Sequence, residues 1–344
     1  MQRLVMRTSR RASIAASLLA VALAGCSPAA ERPSAATQTG YPVSLDDCGR
    51  TVTVERPPER IVSLNQGSTE MLLSLGVADR VVGTAGWTDP ILPSLEAANA
   101  GVKRLADTAP SYEAVLNAEP DLVTASFPDT LGAGGVTTPE NLEKLGVPSY
   151  VSAVECTKEA GSSDGARSST LEIDAVYQEI RDLAALVGRR DRGDAIITDM
   201  QDRVARLSGT KTADGTTAMY WFANAESPYL AGCCGGPGII SRTLGLTNAF
   251  SDAREDWPQI GWETVAQRNP DVLILGDLTR KSQTAENAAA KIAFLESNPV
   301  TREMTAVKNK RYIALAGAEL NPSIRIVDAM EAVADGLRRH GLTR

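Results

Sequence analysis

One pattern occurs twice in the chain and limits what it can fold into. In Tyr112-Glu113-Ala114-Val115 an aromatic residue, a glutamate, a small residue and a valine follow one another, and Pro120-Asp121 with the apolar Leu122-Val123 comes four residues later. Trp262-Glu263-Thr264-Val265 repeats the order, with Pro270-Asp271 and Val272-Leu273-Ile274-Leu275 at the same spacing. Proline cannot continue a helix, so each copy predicts a short helix stopped before a buried strand. A strand of continuous Val, Leu and Ile suits a parallel sheet covered on both faces. Two copies therefore predict two α/β lobes of similar plan, each with one glutamate at the start of the same helix.

The 344 residues, 43% of them hydrophobic, can bury a large core and suffice for about two domains. A net charge of −7 without a basic cluster argues against nucleic acid as a partner. The single histidine, His340, removes Ser-His-Asp and Cys-His nucleophiles and histidine-based zinc chemistry. Asp89, Asp129 and Asp277 are the candidates for an extracellular carboxylate enzyme. They lack a paired-carboxylate motif and a nucleophile with its base, so neither a catalytic residue nor a cofactor is assigned.

Residues 1–26 read as a leader. Arg3, Arg7, Arg10 and Arg11 make its positive region, and residues 12–22 are apolar but too short to span a membrane. Leu23-Ala24-Gly25-Cys26 resembles the cleavage box of bacterial lipoproteins, in which the cysteine becomes the lipidated first residue of the mature protein. The alternative is an ordinary secretory signal with a chance cysteine. Ser9-Arg10-Arg11 leaves Sec and twin-arginine export both open. Residues 27–40, rich in Pro, Ala, Ser and Thr, are expected to be a disordered tether with a reach of about 20 Å. The expected location is extracytoplasmic, on the membrane by lipid rather than by a spanning helix.

In that oxidising space Cys48, Cys156, Cys233 and Cys234 remain, and four cysteines allow three connectivities. The simplest joins Cys48 to Cys156 and leaves Cys233 and Cys234 as a vicinal pair or two free thiols. A thiolate metal or redox site is the alternative, with no CxxC motif or nearby histidine to support it.

The first lobe is expected over residues 41–170. It opens with a hairpin around Asp47-Cys48-Gly49-Arg50 and continues with the buried strand Ile61-Val62-Ser63-Leu64. Asn65-Gln66-Gly67-Ser68-Thr69-Glu70 then leads into a helix from Met71 to Leu75, with Ser68 or Thr69 as its cap. Trp87 lies in a loop, as a lid or a stacking side chain. Phe127 falls just past a strand's carboxyl end, where open parallel sheets bind ligands. Residues 158–169, rich in Gly and Ser, are expected to be loose. Residues 171–209 form a helical connector: Ile173, Val176, Ile180, Leu183 and Val187 step by three and four, and a second helix runs from Arg190 to Leu207. Its 18 residues span about 27 Å, enough for a rigid spine between lobes. The second lobe, residues 210–344, carries Trp221, Tyr229, Arg254, Trp257 and Arg325 near strand ends and loops.

Several features together resemble bacterial substrate-binding proteins of the iron-siderophore and cobalamin uptake class. They are the lipoprotein box, Pro58-Glu59-Arg60-Ile61-Val62-Ser63-Leu64 with Thr69-Glu70 near a helix start, the paired Glu/Pro-Asp units, the central helices, and Trp257-Pro258-Gln259-Ile260 before Glu263. The resemblance covers residues 41–344. It implies an α/β fold of two Rossmann-like lobes joined by one long helix, with the ligand in the cleft between them. It also implies a monomer that delivers its small-molecule ligand to an ABC permease dimer, with Glu113 and Glu263 docking on the permease. Two like charges at matching places suit a two-fold partner; as plain first-turn glutamates they would simply complement the helix dipole.

The ligand expected is a ferric siderophore or a cobalamin-like molecule. Without cleft histidines a bare transition metal is disfavoured, and no resident metal is assigned. For an anionic chelate, Trp87, Phe127, Trp221, Tyr229, Arg254, Trp257 and Arg325 are the candidate contacts. The Cys156 region and Leu295-Glu296-Ser297-Asn298-Pro299 also look like relatives proposed to carry a deazaflavin cofactor precursor, which keeps a different organic ligand open. A lipoprotein scaffold with an empty cleft is the remaining alternative.

Overall fold

The computed structural model describes residues 40–159, 165–207 and 212–344. The leader, Cys26 and the tether up to residue 39 lie outside these. The described chain opens with an antiparallel hairpin, β1 (Val43–Asp47) and β2 (Arg50–Val54). Four strands then form the first sheet: β3 (Ile61–Ser63), β4 (Val81–Thr84), β5 (Leu122–Ala125) and β6 (Ser149–Val151). All are parallel, in the order β4-β3-β5-β6. The second sheet contains β7 (Thr217–Ala223), β8 (Tyr229–Leu230), β9 (Thr247–Asn248), β10 (Val272–Asp277) and β11 (Tyr312–Ala316). Its parallel members run β9-β7-β10-β11, and β8 joins β7 as an antiparallel addition.

The two parallel orders are the same, and the repeated motif occupies the same place in each. Its helices are Tyr112–Leu116 and Trp262–Arg268. Before each proline stands a residue of positive φ, Glu119 and Asn269, which turns the chain into the strand. The aspartate that follows holds the neighbouring strand. Asp121 accepts hydrogen bonds from the backbone N–H of Glu59 and Arg60, 2.9 and 2.8 Å, just ahead of β3. Asp271 accepts from the backbone N–H and hydroxyl of Thr217 at the start of β7, both 2.8 Å. The Pro-Asp pair thus pins strand register as well as stopping a helix. The helices Gln66–Ser74 and Gly236–Leu244 end alike, at Gly76 and Gly245 with φ of 76° and 70°. A side chain would strain both positions.

The connector is two helices, Ile173–Leu186 and Arg190–Leu207. The second touches both lobes: Arg192 Nε donates to the Ser74 carbonyl, 2.9 Å, and Arg203 pairs with Asp328 and Glu331. One buried cluster runs from Ile61, Met71 and Leu72 through Val176, Ile180 and Ile197 to Ile313, Val327 and Met330. The lobes therefore share a core along the spine side, which resists relative motion. Separate cores lie on the opposite faces of the sheets, around Val62, Val115 and Val123 and around Met219, Trp221 and Leu273. Among the described residues no helix is long and apolar enough to cross a membrane.

Two local expectations change. The first-lobe helix starts at Gln66, not Met71, and its N-cap Asn65 makes no side-chain cap. Asn65 Oδ1 instead accepts from Ser126 N–H, 2.8 Å, while Ser68 and Thr69, inside the helix, bond Thr124 and Ser63 on the strands beneath. The stretch expected to be loose is anchored at its described ends, where Lys158 bridges Arg167 and the Arg167 side chain is fully buried; residues 160–164 lie outside the described part.

Candidate functional site

The loops after the strands' carboxyl ends meet between the lobes, where three cavities join. The largest, about 860 Å³, lies toward the first lobe and is lined by Arg50, Phe127, Asp129, Glu140, Lys158 and Trp257 among others. A cavity of about 240 Å³ runs between the lobes, with Phe127, Glu155 and Lys158 on one side and Phe222, Asp256, Trp257 and Arg280 on the other. A chamber of about 50 Å³ lies between Gln66, Ser126 and Ser152 of the first lobe, Glu179 of the connector, and Asn321 and Ser323 of the second lobe. Phe127 and Glu155 line all three.

The aromatic walls come from different lobes. Phe127, after β5, is half-buried. Trp257 packs on Phe222 with centroids 5.0 Å apart, and the Arg280 guanidinium covers Phe222 at 5.1 Å. The largest cavity abuts the Cys48–Cys156 disulfide, whose Cα atoms are 4.8 Å apart. Cys233 and Cys234 form a vicinal disulfide in the turn just before Gly235 and Gly236 of the cleft wall.

Beneath the walls is a set of buried charges. Arg167 grips Asp256 with two hydrogen bonds of 2.8 Å and reaches Glu155 at 3.4 Å, joining first-lobe and second-lobe loops. Lys158 stands 2.7 Å from Glu155 and 3.4 Å from Asp256. Such charges persist in the interior only when paired. Glu179 is the exception: burial, with Glu155 and Asp182 adding negative charge nearby, pushes its carboxyl up to about 8 against an opposing hydrogen bond from Ser152. At neutral pH it is mostly protonated and can offer a proton to the chamber it lines.

A second inter-lobe clasp lies deeper. Arg325 forms a bidentate pair with Glu70 and donates to the Pro90 carbonyl at 2.7 Å. Gln66 and the Leu92 N–H complete the Glu70 carboxylate. Asp89 accepts from the Ala318 N–H, 2.7 Å, and burial raises its carboxyl above the ordinary range.

Of the seven expected ligand contacts, Phe127 and Trp257 line the cleft. Trp221 does not: it is fully buried on the outer face of β7, edge-on to Trp262 at 4.7 Å, with its indole N–H donating to Ala223 and Asn224 carbonyls. Strand alternation sends Trp221 and Phe222 to opposite faces, and Phe222 is the one lining the inter-lobe cavity. Arg325 is spent on Glu70, and Arg254 on the Arg167 and Ser168 carbonyls. Tyr229 sits half-buried in β8, and Trp87 lies under the Arg104 guanidinium at 4.3 Å. Neither lines the three cavities.

Of the enzyme candidates, Asp129 faces the largest cavity and Asp277 accepts from Ala288 N–H at a helix start. Glu155, Lys158, Arg167, Asp256 and Arg280 were not anticipated, and only their proximity in the fold identifies them. Leu295 belongs to the second lobe's outer core, away from the cleft. Glu113 and Glu263 are exposed, each second in its helix, and neither has an ion pair among the described residues.

With this geometry, the chain is a two-lobed α/β binding protein in form, and it belongs to the periplasmic binding protein family whose model matches residues 61–318. A cobalamin-binding protein of Halobacterium salinarum is 26% identical over 313 residues, covering 90% of this chain and 77% of that one. An uncharacterized ABC transporter substrate-binding lipoprotein of Bacillus subtilis is 24% identical over 343 residues, covering 95% and 97%. The crystal structure of a periplasmic binding protein from Veillonella parvula superposes with a TM-score of 0.75 at 24% identity, over 89% of this chain and all of that one.

Proposed function

We propose that the chain is the extracytoplasmic capture component of an ABC importer, lipid-anchored through Cys26 and acting as a monomer. It takes a chelated iron or cobalamin-like molecule into the cleft and passes it to a permease dimer. The observation that carries this reading is Phe127 and Trp257, from opposite lobes, on the walls of one cavity at the carboxyl ends of two parallel sheets. A flat or apolar ligand face would lie between them. The shared core on the spine side and the two buried clasps favour a cleft largely formed before ligand arrives.

Tryptophan fluorescence tests it, because Trp257 is on the cleft wall. Titration with ferric siderophores and cyanocobalamin should give saturable quenching without turnover, and Trp257→Phe should remove most of the signal. Turnover of a bound compound would support an enzyme instead, and no response to any probe would favour a scaffold.

A further inference from the structure

We propose that the cleft selects a neutral or cationic ligand and discriminates against anionic ones, a conclusion that rests on ligand capture in this cleft. The largest cavity is walled by five carboxylates, Asp47, Asp129, Glu140, Glu155 and Glu159, against the two cations Arg50 and Lys158. Both cations are already engaged. Arg50 pairs with Asp47 and Glu143, and Lys158 with Glu155 and Asp256. Across the cleft Arg280 is held by Glu286, 2.8 Å.

An anionic group entering here finds no uncommitted cation among the described wall residues. To recruit Lys158 or Arg280 it must compete with Glu155, Asp256 or Glu286, which are 4%, 8% and 5% exposed. Drawing Arg280 away would leave the buried Glu286 without its ion pair, and drawing Lys158 away would leave Glu155 and Asp256 to share the single cation Arg167. Both changes are unfavourable in the interior, and Arg50 stays tied to the buried Asp47. A cationic group meets the opposite situation. Asp129 and Glu140 are exposed on the wall and carry no ion pair among the described residues. A hydrogen bond with Thr138 lowers the Glu140 carboxyl, which keeps it charged. The Phe127 and Trp257 rings, which line the same cavity as these carboxylates, tolerate a cation over their faces, where they would gain nothing from an anion.

The test holds shape constant while changing charge. A linear ferric trihydroxamate with a free ammonium group, its N-acetyl derivative and its N-succinyl derivative carry charges of about +1, 0 and −1 on one chelate, as follows from ordinary amine and carboxyl pKa values. Cyanocobalamin and its monocarboxylate make the same comparison on a corrinoid. On whichever scaffold binds, the member with the added negative charge should bind roughly fivefold or more weakly than its neutral counterpart at low salt, a gap that narrows as salt rises. In Asp129→Asn/Glu140→Gln the affinity ratio of the ammonium to the N-acetyl chelate should fall by roughly three- to tenfold; if the corrinoid is the scaffold that binds, its monocarboxylate should recover relative to cyanocobalamin. An anionic member that binds as well as its neutral counterpart, or an unchanged ratio in the variant, overturns the charge selection while leaving ligand capture standing. Saturable binding of none of the five overturns ligand capture, and the selection with it.

Discussion

Arg325 and Glu70 meet in the interior with 4% and 1% of their surfaces exposed, one from each lobe. Removing one partner leaves the other as an uncompensated buried charge, so Arg325→Ala should lower unfolding stability by about 3–5 kcal/mol in urea titrations. Replacing both with apolar residues, Arg325→Met with Glu70→Leu, should recover part of that loss, because it avoids the desolvation of both ions but takes a hydrogen-bond partner from the Leu92 N–H and from the Pro90 carbonyl. Glu179 makes a prediction in pH. Its folded carboxyl titrates at about 8, above the unfolded value of about 4.3. The folded state therefore holds the proton over that interval and the unfolded state does not. The Glu179 contribution to stability is greatest at the acidic end of that interval and falls as pH rises, at a limiting slope of about 1.4 kcal/mol per unit. Glu179→Gln should flatten this part of the stability–pH curve between about pH 5 and 8; denaturant midpoints that still fall as steeply would show that Glu179 is not the source.

At the scale of elements, the repeated motif is two devices in one. Its helix is stopped by a left-handed residue and a proline, and its aspartate ties the strand that follows to the start of its sheet neighbour, β3 or β7. Because Asp121 and Asp271 do the same work in the two sheets, Asp121→Ala and Asp271→Ala should destabilise by similar amounts. Each loses two hydrogen bonds at a strand start, with exposed donors at Glu59 and Arg60 and part-buried ones at Thr217, for which about 1 kcal/mol per bond is expected. A large loss in only one variant would break the equivalence of the lobes. The motif's spacing exposed these elements in the sequence, since proline and a continuous apolar run are local signals. The start of the Gln66–Ser74 helix was not legible in the same way. Ser68 and Thr69 look like caps by type, yet tertiary hydrogen bonds to β3 and β5 draw them into the helix interior.

At the scale of the whole molecule, the equivalent placement of Glu113 and Glu263 becomes a prediction about a partner. Reversing both charges, Glu113→Lys with Glu263→Lys, should abolish uptake in cells while ligand quenching of the purified protein is retained. Loss of binding in the same variant would assign these residues a structural role. The two sheets, their common strand order and the helical connector follow from patterns written locally along the chain: a repeated helix–proline–strand unit, apolar periodicity in Ile173–Leu186, and glycines that end helices. The cleft was legible only in part. Phe127 and Trp257 were found because strand ends and loops can be located from sequence, but Trp221, Arg254 and Arg325 carry the same chemistry and point elsewhere. A side chain's type does not say which sheet face it occupies or which carboxylate reaches it first. Those outcomes depend on residues far apart in the chain, Arg325 with Glu70 and Arg167 with Asp256, and only the packed lobes bring them together. Local patterns therefore determined the architecture, and tertiary structure decided which charges remain for a ligand, because burial forces nearly every charge beneath the cleft to find its partner within the protein.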